Sequence, residues 1–319
     1  MREIKKVKLI GLGAMGCFFA PKLEKALGEG FKIIATGDRR KHLENDGVTI
    51  NDINYKFDIA DPDDEKSEQD TDLIIIAVKG YSLEQALKDI RPFVGEDTLI
   101  MSVINGVDSE EKVKEAYGEK HVIYSYMRVS IVMKDGVTSF NPDVGKVHFG
   151  DIRNIPGDYS ENVACIAKLF ENAHINYNID EDMLRGIWFK FSCNVGENMT
   201  CAMLGIPFGS FHQGKYANEI REQGMREVIA IANKMGIDLS EDDVIRQRDT
   251  LMGLPFENKP STLQDLEAGK LTEVDMFAGE VIRLGRKYGV PTPMSEMYYR
   301  GIRAKEDVIL SRQKMLNDR

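Results

Sequence analysis

The sequence predicts two domains of different class. An α/β domain over 1–180 is built on a mostly parallel sheet with an antiparallel extension, and an all-α domain follows over 181–319. Three observations carry this. Apolar, β-branched runs alternate with helix-length segments through the first half. A glycine-rich turn stands between the first such run and a helical pattern. From about Glu181 onward, helical apolar spacing dominates. At 319 residues the chain has room for two cores.

The first strand is Val7–Gly11, a short apolar run. It enters Gly11-Leu12-Gly13-Ala14-Met15-Gly16, followed by a helical pattern from Cys17. This is G-x-G-x-x-G in strand–turn–helix context, the setting in which it binds dinucleotides and marks a Rossmann-type domain. Gly11 would allow the tight turn, Gly13 the approach of a pyrophosphate, and Gly16 close helix–strand packing. The helix N-terminus would offer N–H groups and the positive end of its dipole to the phosphates. Phe31–Arg40 reads as the second strand and its exit turn. There Asp38 stands beside Arg39 and Arg40, so the signal is mixed. An acidic residue would hold a ribose 2′-hydroxyl, and arginine would accommodate a 2′-phosphate. Solvated turn residues are the other reading of the two arginines.

Leu73–Val78 has the composition of a central parallel strand, with Lys79 at its carboxyl end, where open α/β sheets bind ligands. A loop lysine is the plainer reading. Thr98–Ile104 is a further strand, and it ends in Asn105-Gly106. That places Asn105 at the same edge of a doubly wound sheet, although Asn-Gly is also an ordinary turn pair. Ser82–Ile90 suits a helical crossover. Val122–Met133 and Gly145–Gly150, with a turn at Asp135-Gly136, read as the antiparallel extension. Ser160–Asn172 suits the last helix of the domain, with Ser160 as N-cap, and His174–Ile179 a last edge strand.

Bulk properties exclude several classes. The chain is 42% hydrophobic and 29% charged, as soluble globular proteins are. Its net charge of −10 argues against general nucleic-acid binding, which needs a basic face. No apolar run approaches the roughly 20 residues of a membrane span. The charged start, Met1-Arg-Glu-Ile-Lys-Lys, does not look like a signal peptide, so a cytoplasmic location is expected. Cys17, Cys165, Cys193 and Cys201 form no C-x-x-C pair, and the five histidines show no metal-ligand spacing. Reduced, buried thiols are expected.

In the second half, Glu219–Met235 and Glu241–Leu251 read as amphipathic helices, with Gly236 as a stop. Ser261 or Thr262 could cap a helix after the Leu254–Pro260 loop, and Thr272 with Asp275 resembles a capping box. Glu273 follows a loop at a helix start, where it could point into a cleft or sit solvated in a first turn. The most informative run is Leu184–Leu204. Its spacing of four puts Lys190, Asn194 and Asn198 on one helical face, among Trp188, Phe189, Phe191 and Val195. That stripe spans roughly 12 Å at about 1.5 Å per residue. A solvated outer face is one reading. A polar ligand is the other, because unpaired buried polar groups cost about 1–3 kcal/mol each.

Together these pieces resemble the ketopantoate reductase family, NADPH-dependent 2-dehydropantoate 2-reductases, over nearly the whole chain. The marks are the N-terminal G-L-G-A-M-G, the strand ending in Val78-Lys79, Ile104-Asn105-Gly106, the K-x3-N-x3-N stripe, and S-x2-Q-D followed by T-E-x-D at Ser261–Asp275. The resemblance implies that Lys190 is the general acid and Glu273 the carboxylate that binds substrate and orients the site. It implies that Asn194 and Asn198 hold the substrate's hydroxyl end, and that Ser261 bonds its carboxylate. Asn105 would lie near the nicotinamide ribose and the substrate, and Lys79 on the cofactor side. The substrate would be a small 2-keto acid, 2-dehydropantoate reduced to (R)-pantoate. A relative acting on another 2-keto acid and a non-catalytic NADP(H)-binding regulator are the other readings. Three departures bear on cofactor and substrate more than on the reaction. They are Thr36-Gly37 where relatives often carry Arg-Gly, Gly196-Glu197 where they carry small apolar residues, and Met199 where Pro is frequent. The helical domain could present a homodimer surface, although no heptad run specifies one.

Overall fold

The structure is a computed structural model that describes residues 2–64, 69–129, 132–134, 137–141 and 145–317. The chain divides into two compact units, Met1–Leu184 and Arg185–Arg319. Twelve strands occur among the described residues of the first unit. They are β1 (Val7–Ile10), β2 (Phe31–Ile34), β3 (Val48–Ile50), β4 (Ile53–Tyr55), β5 (Ile59–Ala60) and β6 (Leu73–Ile76). Then come β7 (Leu99–Ser102), β8 (Val122–Arg128), β9 (Val132–Lys134), β10 (Val137–Ser139), β11 (Lys146–Gly150) and β12 (Tyr177–Asn178).

Eight of these form one sheet in the order β12-β11-β8-β7-β6-β1-β2-β5. From β8 to β5 every pairing is parallel. Strands β6 and β7 are buried along their whole length, as in a parallel sheet covered on both faces. The order reverses at β1: β2 lies on one side of it and β6 on the other. That reversal places a crevice at the carboxyl ends of β1, β2 and β6.

The antiparallel extension is present as the β8–β11 pair. The expected run Val122–Met133 divides, however. Val122–Arg128 stays in the main sheet parallel to β7, while β9 and β10 join a second sheet of order β4-β3-β10-β9. The sequence reading contained no β3, β4 or second sheet. Strands of three residues carry too little periodicity to be read. Their hairpin is set by Asn51 (φ 47°) and Asp52 (φ 65°), a two-residue turn with both residues left-handed. The exposed β3 edge then takes β10 as its partner. Asp135 and Gly136, expected to form a turn, lie outside the described residues. The edge strand expected at His174–Ile179 is only β12, parallel to β11. Ser160 caps its helix as expected, its hydroxyl accepting the Val163 N–H at 3.3 Å.

The second unit is helical. Helix Lys215–Lys234 is its hub and packs against helices Glu241–Met252, Glu280–Tyr288 and Pro293–Asn317. Gly224 on the hub faces the ring of Tyr298, where a Cβ would sit 2.7 Å from a ring carbon. The Tyr298 hydroxyl donates to the Ile220 carbonyl at 2.8 Å and accepts from Thr200 at 2.8 Å, so this wholly buried phenol is satisfied.

Candidate active site

In the first unit, three neighbouring strands end in the residues singled out from the sequence. The glycine loop follows β1, Lys79 follows β6, and Asn105 follows β7. Each glycine of the loop has its own constraint. Gly11 has φ 99°, and a Cβ there would lie 2.6 Å from the Ala77 carbonyl oxygen. A Cβ on Gly16 would lie 1.9 Å from the Gly11 carbonyl oxygen. Nothing stands within 4 Å of where Gly13 would carry one. Two glycines are therefore required by the fold, and the third opens space beside a helix start. Helix Ala14–Leu27 begins with Ala14 and Met15 and has no acidic residue in its first turn. That donor set fits a pyrophosphate.

The second strand ends at Ile34, and the exit turn expected by Arg40 is the start of a helix instead. Helix Gly37–Asn45 begins there, with Gly37 at φ 53°. Arg39 and Arg40 thus stand in a first helical turn and diverge. Arg39 reaches back to the glycine loop, its Nη2 donating to the Leu12 carbonyl at 3.4 Å. Arg40 is held by carboxylates, at 2.7 Å from Glu44 and also paired with Asp61. Asp38 is exposed and pairs with Lys41 at 3.2 Å. Lys79 is exposed ahead of the short turn Gly80–Ser82, and Asn105 is half-buried before Gly106 at φ 115°.

The polar stripe lies in the second unit, on a helix that changes type partway. Met183–Cys193 is α-helical, Asn194–Asn198 is a π turn, and Met199–Leu204 is α-helical again. In an α-helix each fourth residue drifts about 40° around the axis. A π turn, bonded i to i+5, holds more residues per turn and swings the fourth residue back. The insertion therefore brings Asn198 back over Lys190, a closer alignment than a plain α-helix gives. Lys190 and Asn194 are half-buried and Asn198 is buried.

Neighbouring elements explain the Gly196-Glu197 departure inside this helix. A Cβ on Gly196 would lie 2.6 Å from the Arg221 carbonyl oxygen and 2.6 Å from Met225 Cγ, so glycine lets the π turn lie on the hub helix. Glu197 is buried on that side. Its Oε1 accepts Gln247 Nε2 at 2.8 Å and lies 3.9 Å from Arg221 Nη1.

A second π turn, Asp275–Gly279, packs against the first. Phe191, in the helix just ahead of the first turn, stacks on Phe277 of the second, with ring centroids 6.4 Å apart. Glu273, 8% exposed, lies two residues ahead of this turn, before its N-cap Val274. Helix Ser261–Glu267 packs on the first π turn. The turn carrying Asn194 and Asn198 therefore meets both the helix that begins at Ser261 and the π turn that starts two residues after Glu273. Pro260, not Ser261 or Thr262, occupies the N-cap position of that helix. The capping box expected of Thr272 and Asp275 does not form. Thr272 bonds to Glu306 and Asp275 to Arg303, partners too distant in sequence to be read locally.

The four cysteines are buried, and burial pushes the Cys17, Cys165 and Cys201 thiols up, away from nucleophilic use. Among the described residues, no group of three or more His, Cys, Asp and Glu side chains could hold a metal ion, and no helix is long and apolar enough to cross a membrane. Supporting residues escaped the sequence reading: Gln247 and Arg221 behind the first π turn, Arg303 and Glu306 beside the second. No local motif marks contacts made across tens of residues.

Comparisons with known proteins cover nearly the whole chain. Residues 7–154 match the family model described as ketopantoate reductase PanE/ApbA, and residues 182–306 match its C-terminal model. A 2-dehydropantoate 2-reductase of Aquifex aeolicus (strain VF5) is 30% identical over 312 residues, covering 95% of this chain and 97% of that protein. Among solved structures, a D-mandelate dehydrogenase with NADH and anilino(oxo)acetate superposes with a TM-score of 0.83 at 23% identity, over 95% of this chain and 99% of that one. A PanE/ApbA family ketopantoate reductase from Ralstonia eutropha JMP134 superposes at 0.80 and 23% identity, over 96% and 99%.

Proposed function

We infer the chemistry from one premise: the chain belongs to the ketopantoate reductase family. On that premise we propose that it reduces 2-dehydropantoate to (R)-pantoate with NADPH, a step toward pantothenate and coenzyme A. The observation that carries the reading is the meeting of the two π turns. It gathers two carboxamides and the segment bearing a buried carboxylate in the unit that also holds Lys190.

The glycine loop and the start of helix Ala14–Leu27 would hold the pyrophosphate of the dinucleotide, and Lys79 and Asn105 would lie toward its nicotinamide half. Arg39 is our candidate for the adenosine 2′-phosphate. It leans on the loop through Leu12, whereas Arg40 is engaged by Glu44 and Asp61. The nicotinamide, when bound, supplies the hydride.

The remaining work falls to side chains of this protein. Reduction of a 2-keto acid leaves negative charge on the former carbonyl oxygen, and the Lys190 ammonium stabilises that charge and delivers the proton. Asn194 and Asn198 hold the hydroxyl end of the substrate, and Ser261 bonds its carboxylate. Glu273 orients the substrate. None of the five histidines stands in such a motif, which leaves lysine as the acid.

The test is NADPH oxidation, followed by absorbance, with 2-dehydropantoate beside a panel of other 2-keto acids. Turnover best with 2-dehydropantoate supports the reading. Turnover of another acid only would select a different substrate on the same chemistry, and tight NADPH binding without turnover would make the protein a binder rather than an enzyme.

A further inference from the structure

We propose that Glu306 and Arg303 are positioning residues that clasp the chain on both sides of Glu273. The proposal rests on the reading of Glu273 as a substrate-facing carboxylate. On the near side, the backbone N–H and the hydroxyl of Thr272 both donate to Glu306 Oε1, each at 2.7 Å. The Thr272 hydroxyl oxygen in turn accepts the Val274 N–H at 3.2 Å, which arches the chain over Glu273. On the far side, Asp275 accepts from Arg303 Nη2 and, through its other oxygen, from the Tyr299 hydroxyl at 3.0 Å. Arg303 Nη1 closes the ring by donating to Glu306 Oε2 at 2.6 Å. The guanidinium also lies over the Tyr299 ring, 5.3 Å from its centroid.

The clasp is an expensive device for anchoring a loop. Glu306 is 1% exposed, and taking a carboxylate out of water costs several kcal/mol unless its oxygens are fully used. Both of its oxygens are committed to this one segment or to the arginine that holds the other end of it. Residues 271–273 have no regular secondary structure; the Glu273 carbonyl accepts the Met276 N–H at 3.0 Å and the Phe277 N–H at 3.3 Å, and the clasp holds the chain ahead of those bonds. A displacement of about 1 Å at a reacting group can cost about a hundredfold in rate. Tying residues 272 and 275 to helix Pro293–Asn317 fixes the residue between them at the entry of the π turn.

Glu306→Gln tests this. It preserves shape and leaves an oxygen for Thr272, but it removes the charge and turns an amide N–H toward Arg303. We expect kcat for 2-dehydropantoate to fall about tenfold or more, with the KM for NADPH changed less than about twofold. In a Glu273→Gln background, Glu306→Gln should add less than about twofold, because it acts through Glu273. Additive losses, or an undiminished kcat in Glu306→Gln, would overturn the proposal. Asp275→Asn, at an exposed side chain, is a second variant free of folding risk, and a loss of about threefold with the same non-additivity is expected. Amide hydrogen exchange over 270–279 judges the clasp without any substrate. Exchange there should quicken in Glu306→Gln while the rest of the chain is unchanged, and unaltered exchange would count against the clasp. If the wild-type protein does not reduce 2-dehydropantoate, the functional reading fails and the exchange result still stands.

Discussion

Lys190 is the proposed general acid. General acid catalysis contributes about 10²–10⁴-fold, so Lys190→Ala should lower kcat by that order while NADPH affinity, measured by fluorescence titration, stays near wild type. A variant with normal kcat would remove Lys190 from the mechanism. The two arginines make a sharper contrast than their sequence allowed. Arg39→Ala should weaken NADPH more than NADH by about tenfold, the scale of one charge-assisted bond. Arg40→Ala should affect the two cofactors alike, because its partners are Glu44 and Asp61. Equal selectivity losses in both variants would deny Arg39 its role. Glu110 gives a prediction about stability. Burial raises its carboxyl to about 7, against hydrogen bonds from Ser109 and from backbone N–H groups. The folded value lies above the ordinary 4.5, so the native state holds the proton where the unfolded chain has lost it. Stability then falls as pH rises from about 4.5 to about 7, by at most roughly 3 kcal/mol. Glu110→Gln should raise the melting temperature at pH 8 and leave it nearly unchanged at pH 4.5. The same change at both pH values would show that burial does not bear on its titration.

Among the elements, the glycine loop was the most legible in the sequence, because its cause is local. A strand, a turn and a helix follow one another, Gly11 and Gly16 answer nearby backbone constraints, and Gly13 leaves open space. The structure separates those constraints, and so predicts different phenotypes. Gly16→Ala should destabilise the fold by about 1–3 kcal/mol, since its Cβ meets the Gly11 carbonyl oxygen. Gly13→Ala, with nothing within 4 Å, should melt like wild type and lose dinucleotide affinity. Thermal melts with a cofactor titration decide it, and a Gly13→Ala variant that binds normally would exclude the loop as a phosphate cradle. The stripe was legible for the same local reason, since four-residue spacing survives the change of helix type. The π turns themselves were not. An i to i+5 bond leaves no residue-type signature, and the packing that selects it comes from elsewhere: Arg221 and Met225 against Gly196, and Glu306 and Arg303 around Glu273. The capping box read at Thr272 and Asp275 failed on this point, as a local motif whose partners lay about thirty residues away.

At the scale of the molecule, fold class was readable because the change from strand runs to helical spacing near Glu181 is a long-range signal, repeated in every element. The second sheet was not readable, because β3 and β4 are three residues each and β10 reaches them from across the unit. Substrate identity is the property least readable from spacing, since Glu197, a departure read beside the stripe, is buried and bonded to Gln247, a partner fifty residues away. On the proposed reading, this family member is a working 2-dehydropantoate reductase whose proton comes from Lys190. The most direct measurement is the pre-steady-state reduction of 2-dehydropantoate by NADPH in the wild-type protein and in Lys190→Ala. The account predicts a single turnover by the wild type and a chemical step slowed by about 10²-fold or more in the variant, with the cofactor still bound. Equal rates in the two proteins, or no oxidation of NADPH by the wild type, would contradict it.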